Sequence, residues 1–161
     1  RDRRLRPFRG RRPPDTAGIL GGGSQPGGMD ATEIDHVKLR IPADGIDDAL
    51  GFYRDALGFA VEGMDRYESG EKPFFSVRLA PGAVVHVEPD EGFEPPARTG
   101  YDHVAVRIDD SIDGIEEALS AAGVAVDRRL DPLGATGVAP AVYVTDPFGY
   151  RVELKAERTE P

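Results

Sequence analysis

The chain has 161 residues, enough for one domain or two half-domains sharing a core, and no cysteine, so disulfides, thiolate metal sites and cysteine nucleophiles are excluded. Its charge is unevenly divided: residues 1–28 carry seven Arg and two Asp, whereas the remainder holds 13 basic and 27 acidic residues. An acidic body repels a polyanion, so nucleic acid is not an expected partner; no stretch approaches the ~18 apolar residues of a membrane span either.

Residues 1–28 are rich in Arg, Pro and Gly and lack the apolar stretch of a secretory signal. They are expected to form a disordered leader, with a basic arm for an anionic partner as the alternative, and Met29 reads as a natural start. From Ile34 the chain alternates at strand period: Val37, Leu39 and Ile41 on one face, His36, Lys38 and Arg40 on the other, until Pro42 ends the strand. Ile46, Ala49, Leu50, Tyr53 and Leu57 then recur at helical spacing, with Asp44 placed to cap the start and Gly58 to close the end. Strands are expected near 59–66, near 74–80 and, after the Pro81-Gly82 turn, at 83–88. This first module spans 29–90, and the Pro-, Gly- and acid-rich residues 91–100 read as a linker.

The pattern restarts over 101–156, ahead of a short tail at 157–161. Asp35-His36-Val37-Lys38-Leu39-Arg40-Ile41 is echoed by Asp102-His103-Val104-Ala105-Val106-Arg107-Ile108, and Gly45-Ile46-Asp47-Asp48-Ala49-Leu50 by Gly114-Ile115-Glu116-Glu117-Ala118-Leu119. Gly58 and its following strand are echoed by Gly123 and Val124–Arg128; further strands are expected near 140–146 and 150–155, split by the turn Asp146-Pro147-Phe148-Gly149. The chain reads as two copies of strand–helix–strand–strand–strand.

The three histidines, His36, His86 and His103, fall within this repeat. His36 and His103 are equivalent, 67 residues apart, and the same shift carries His86 onto Glu153. Each copy thus offers one donor on its first strand and one on its last. The neighbours at odd spacing are apolar (Val37, Val85, Val87, Val104, Val152, Leu154), which puts all four donors on the face opposite the helices. Two copies related by a pseudo-twofold axis are expected to bring the four towards one point. A lone histidine on a strand is usually only a hydrogen-bonded residue; the joint placement is what points to a metal.

The segments Asp35-His36-Val37, Tyr101-Asp102-His103-Val104-Ala105-Val106 and Asp146-Pro147-Phe148-Gly149-Tyr150-Arg151-Val152-Glu153-Leu154 resemble those of the vicinal oxygen chelate proteins. That group comprises glyoxalases, bleomycin-resistance proteins and ring-cleaving dioxygenases, and glyoxalase I-like members are the nearest in likeness. Phe52-Tyr53-Arg54-Asp55-Ala56-Leu57-Gly58-Phe59 resembles the end of the group's first helix, and the likeness covers about residues 34–156. It implies an α+β fold of two βαβββ modules, related by a pseudo-twofold and forming a cupped mixed sheet with helices on its outer face. It also implies metal ligands on the first and last strand of each module, here His36, His86, His103 and Glu153. One departure stands out: glyoxalase I usually places Glu where His86 stands, and Glu88, two residues on and on the same face, could substitute for it or act as a base.

Imidazole and carboxylate suit Zn, Ni, Co, Fe or Mn better than Mg or Ca. Three His and one Glu leave up to two places on an octahedral ion for a substrate with neighbouring oxygens. The expected activity is that of a glyoxalase-like lyase or isomerase, with one divalent metal stabilising an enediolate and Glu153 or Glu88 moving the proton. Lys38, Arg40, Arg78, Arg107 and Arg151 share the donor face and are expected to bind a small anionic substrate, a carboxylate or phosphate; pairing with surface acids is the competing reading for each. Tyr143 and Phe74 are candidates to line the cavity or to pack in the core. Two alternatives differ in chemistry: an Fe(II) extradiol-type dioxygenase using His36, His103 and Glu153 with His86 behind them, and a protein that only binds a drug or metabolite. Thiol transfer to an antibiotic epoxide is also within the fold's reach. Chains of this size in the group commonly dimerise with shared sites, so a homodimer is expected, and the three Lys set against many acids suit a salt-adapted cytoplasmic protein or an ordinary acidic surface.

Overall fold

The computed structural model describes residues 33–97 and 99–156, within the unit Glu33–Pro161. The leader expected over 1–28 and the tail expected over 157–161 lie outside the described residues. Strand β1 (His36–Pro42) alternates as its sequence requires: Leu39 and Ile41 are buried, while His36, Lys38 and Arg40 are exposed. A helix follows, α-helical over α1 (Ile46–Ala49) and π-helical over Leu50–Ala56. The wider π turn lets the consecutive residues Phe52 and Tyr53 both face the core. Then come β2 (Ala60–Glu62), a short α2 (Met64–Glu68), β3 (Phe75–Ala80) and β4 (Ala83–Asp90).

The second module repeats this order with β5 (Val104–Arg107), α3 (Ile112–Ala121), β6 (Arg128–Leu130), β9 (Ala141–Thr145) and β10 (Arg151–Lys155). Between β6 and β9 it inserts a small hairpin, β7 (Leu133–Gly134) and β8 (Gly137–Val138), which the sequence pattern does not announce. Each module builds its own four-stranded mixed sheet, in the orders β1-β4-β3-β2 and β5-β10-β9-β6. In both, the first strand runs parallel to the last and the other pairs are antiparallel.

Three expectations are corrected. The strand expected near 59–66 stops at Glu62, because Gly63 turns left-handed (φ 75°) and opens α2. The strand expected at Val124–Arg128 starts only at Arg128; before it, Val124 N closes the helix on Leu119 O and Asp127 N reaches Tyr143 O. Asp44 does not cap the first helix: Gly45 is the N-cap, without a side-chain bond. Glycine suits that position because a Cβ would lie 2.8 Å from the Phe148 ring and 3.1 Å from Pro42 O. Helix α3 has the cap its partner lacks, Ser111 Oγ accepting from Gly114 N at 3.1 Å. Gly58 and Gly123 follow the two helices with φ of 72° and 70°, as the repeat predicts.

The two modules share one core, to which Ile41, Phe75, Val77 and Val87 contribute from the first and Ile115, Leu119, Val142, Val144 and Leu154 from the second. A buried polar tie crosses it. Tyr53 OH donates to Asp146 Oδ2 at 2.7 Å, and Asp146 Oδ1 accepts from Phe148 N (3.0 Å) and Tyr150 N (2.8 Å). The Asp146-Pro147-Phe148-Gly149 turn is therefore set by a buried carboxylate satisfied by three donors, as burial of such a group requires. No described helix is long and apolar enough to cross a membrane.

Candidate metal centre

Strand register places the four predicted donors in two equivalent pairs. In the first sheet His86 lies opposite Lys38, and His36 opposite Val84, so the two histidines are offset by two residues on one face. Glu153 lies opposite Ala105, which leaves His103 with the same offset in the second sheet. The His36 and His86 rings are 4.7 Å apart between centroids, and His103 Nε2 is 3.0 Å from Glu153 Oε2. Two ligand atoms each ~2.1 Å from an ion and about 90° apart are roughly 3.0 Å from each other, so the second pair has the spacing of adjacent ligands.

Each histidine has its other ring nitrogen occupied. His36 Nδ1 donates to Asp35 Oδ1 at 2.6 Å, His103 Nδ1 donates to Asp102 Oδ1 at 2.6 Å, and His86 Nδ1 is 2.8 Å from Ser76 Oγ. An imidazole engaged at Nδ1 presents Nε2 outward, the arrangement of metal-binding histidines held by an oxygen behind them. The donor chemistry therefore fits a divalent ion. The hydrogen bonds from His36 and His103 lower the carboxyl pKa values of Asp35 and Asp102, and burial, then the charge of His36, lowers that of His86.

Glu153 is the buried member of the set, 4% exposed. Its Oε2 accepts from Tyr143 OH at 2.7 Å, and Lys155 Nζ stands 3.9 Å from Oε1. Burial and the bond to Glu153 push the Tyr143 phenol up to about 12, so the hydroxyl stays a donor throughout the physiological range. The 67-residue shift that relates the ligands also relates their supports: Asp35 to Asp102, and Ser76 to Tyr143. In the sequence expectations Tyr143 only lines the cavity or packs in the core, and Asp35, Ser76 and Asp102 carry no supporting role, although applying the shift to every polar residue of the repeat would have found all four.

The pairs are not gathered within one chain. Among the described residues no group of three or more His, Asp or Glu side chains stands close enough to hold an ion. Within one chain the four expected donors therefore stand as two half-sets. The contacts that join the modules include Tyr53 to Asp146, Gly45 against Phe148 and Tyr150 OH to Arg40 O at 2.9 Å, and none of them brings the two donor pairs together.

The predicted substrate cations divide sharply. Lys38 is paired with Glu88, Arg40 with Asp90 (3.0 Å), Arg78 with Glu62 (2.7 Å) and Arg151 with Asp102 (3.2 Å). Glu88, a candidate base, is neutralised by the same Lys38. Arg107 has no carboxylate partner among the described residues. It lines a cavity of about 290 Å³ with His103, Glu153 and Lys155, roofed by Leu133–Thr136 of the hairpin. Lys155, unforeseen in this role, hydrogen-bonds Pro132 O and Ala139 O and so ties both stems of that hairpin to the strand bearing Glu153. Phe74 stacks on His86 at 4.3 Å between ring centroids, with Lys38 and Lys72 over its ring.

Paired βαβββ modules with donors on the first and last strand of each define a class of protein in which a cupped surface is built by duplication. The pattern of the glyoxalase/bleomycin resistance protein/dioxygenase superfamily matches residues 33–154, and the chain belongs to that superfamily. A glyoxalase family protein from Bacillus anthracis superposes with a TM-score of 0.64 at 22% identity, covering 81% of this chain and 98% of that one. A virulence protein from Salmonella typhimurium gives 0.63 at 21%, covering 81% and 100%. A fosfomycin resistance protein from Listeria monocytogenes gives 0.54 at 14%, covering 80% and 96%. At such identities the likeness is one of fold. No curated protein matches the chain.

Proposed function

We propose that the protein is a metal-dependent, glyoxalase-like lyase or isomerase acting as a homodimer on a small anionic substrate with neighbouring oxygens. His36 and His86 of one protomer join His103 and Glu153 of the other around one divalent ion, of the group Zn, Ni, Co, Fe and Mn. The observation that carries this reading is the matched half-set: each module holds its pair at the same register offset, with every histidine engaged at Nδ1. A bound ion supplies Lewis acidity to a carbonyl chelated through two adjacent oxygens.

The chain's own residues supply the rest. Tyr143 OH fixes the Glu153 carboxylate, and Glu153 is assigned the proton transfer, since Glu88 is occupied by Lys38. Arg107, unpaired and facing the cavity, attracts an anionic substrate, and the hairpin above it limits access of water. The dioxygenase alternative predicts bound iron and oxygen uptake with catechols; the binding-only alternative predicts ligand retention without turnover.

Complementation tests the shared site. A His36→Ala/His86→Ala protein and a His103→Ala/Glu153→Ala protein are each expected to lose tight zinc binding. Refolded together, they should recover one intact site of the two in each mixed dimer, which is about a quarter of the wild-type capacity for a randomly paired equimolar mixture. No recovery, with mixed dimers demonstrably formed, refutes the shared centre.

A further inference from the structure

We propose that Arg128 is the specificity-determining residue of this centre, and that the substrate carries a carboxylate beyond the oxygens it presents to the metal. The inference rests on the metal-centre reading above and adds the substrate's second functional group. Arg128 opens β6 and lies opposite Tyr143, which in turn lies opposite Glu153. Ala105, Glu153, Tyr143 and Arg128 therefore form one row across the sheet on the donor face. The neighbouring residue confirms the orientation: Arg129 turns to the helix side and pairs with Glu116 of α3 at 2.7 Å.

The Arg128 guanidinium stacks over the Tyr143 ring, 4.3 Å from its centroid. Tyr143 is the side chain that donates to Glu153, so cation, phenol and ligand carboxylate are contiguous. Stacking orients the planar fork while leaving its N–H edge free, and that edge matches a carboxylate bidentately. Arg128 is exposed and has no carboxylate partner among the described residues, in a protein whose acids outnumber its bases. The contrast with the first sheet is direct, since Lys38, Arg40 and Arg78 are each neutralised there. Backbones two strands apart are separated by ~9–10 Å, so Arg128 stands one strand beyond Tyr143 and within reach of the far end of a small substrate held at Glu153.

Zinc-loaded protein is titrated by calorimetry with 2-oxoglutarate and with 2-oxopentanoate. These ligands chelate through the same 2-oxo acid, and only the first carries a distal carboxylate. Wild type is expected to bind 2-oxoglutarate about tenfold tighter. Arg128→Gln should bring the two ligands within about twofold by weakening 2-oxoglutarate alone, and Arg128→Lys should recover only part of the preference. An unchanged preference in Arg128→Gln, or a loss seen with Arg107→Gln instead, overturns the assignment. Zinc uptake, measured separately, is expected to be equal in wild type and Arg128→Gln. If wild type takes up no zinc, the metal reading fails, and glutarate titrated into metal-free protein then decides the role of Arg128. A shift of its side-chain Nε–H resonance supports the role, and an unmoved resonance ends it.

Discussion

Removing the Tyr143 hydroxyl tests how Glu153 is held. Tyr143→Phe keeps the ring, and so its packing and the stacked Arg128, but deletes the 2.7 Å bond to Oε2 of a carboxylate that is only 4% exposed. A hydrogen bond to a charged acceptor contributes ~1.5–3 kcal/mol, and one between neutral groups ~0.5–1.5 kcal/mol. The first module supplies the matched control, because Ser76→Ala deletes the equivalent bond between Ser76 Oγ and His86 Nδ1, a bond between neutral groups once the imidazole has lost its second proton. Tyr143→Phe is therefore expected to destabilise metal-free protein by ~2 kcal/mol and Ser76→Ala by ~1 kcal/mol. With a urea slope of ~1.5 kcal/mol/M, these become midpoint shifts of about 1.3 M and 0.7 M at unchanged slope. Denaturation at pH 8 and one fixed protein concentration reads both. A Tyr143→Phe midpoint within ~0.3 M of wild type, or a larger loss in Ser76→Ala, would refute the claim that Tyr143 stabilises a buried charge.

The pH dependence of metal-free protein should show His86 directly. Its folded-state pKa is lowered from 6.5, first by burial and then by His36, so the unfolded chain takes up the proton more readily. Stability is thus full above about 6.5 and is lost as pH falls through that unfolded value towards the folded one, a slope in the thermal midpoint that His86→Asn should flatten. Lys155→Met removes the donor to Pro132 O and Ala139 O, leaving two carbonyls under a buried apolar side chain. Amide exchange is expected to accelerate at least tenfold in Leu133–Val138 while Val142–Val144 stay protected; an unchanged hairpin refutes the latch.

The fold was legible because its halves repeat and because period-2 alternation is strict where one sheet face is buried. Leu39 and Ile41 inside against Lys38 and Arg40 outside is the pattern that binary patterning predicts. Legibility failed where backbone conformation outweighed side-chain pattern. Gly63 broke a strand that Val61 had begun, and the stretch after Gly123 held its apolar Val124 and Val126 off the sheet until Arg128. The short hairpin carries little periodicity and is held by Lys155, a contact distant in sequence. The donors were legible as a set under one shift, but partners were not. Whether Lys38, Arg40, Arg78 and Arg151 are free depends on Glu88, Asp90, Glu62 and Asp102 lying within reach, which is a matter of register and rotamer.

Duplication also explains why the donors stand in pairs. A module must bury the apolar face of its sheet, and in this chain both modules contribute those faces to one shared core, while each donor face carries only two of the four donors. Two donors hold a divalent ion weakly, whereas four with fixed imidazoles hold it well, so the step that completes the site also selects the assembly. Zinc should consequently strengthen the dimer: in sedimentation at low micromolar protein, wild type should shift towards dimer on zinc addition and the His36→Ala/His86→Ala protein should not. A dimer equally stable with and without zinc in both proteins would separate assembly from metal and leave the two half-sets without a common purpose.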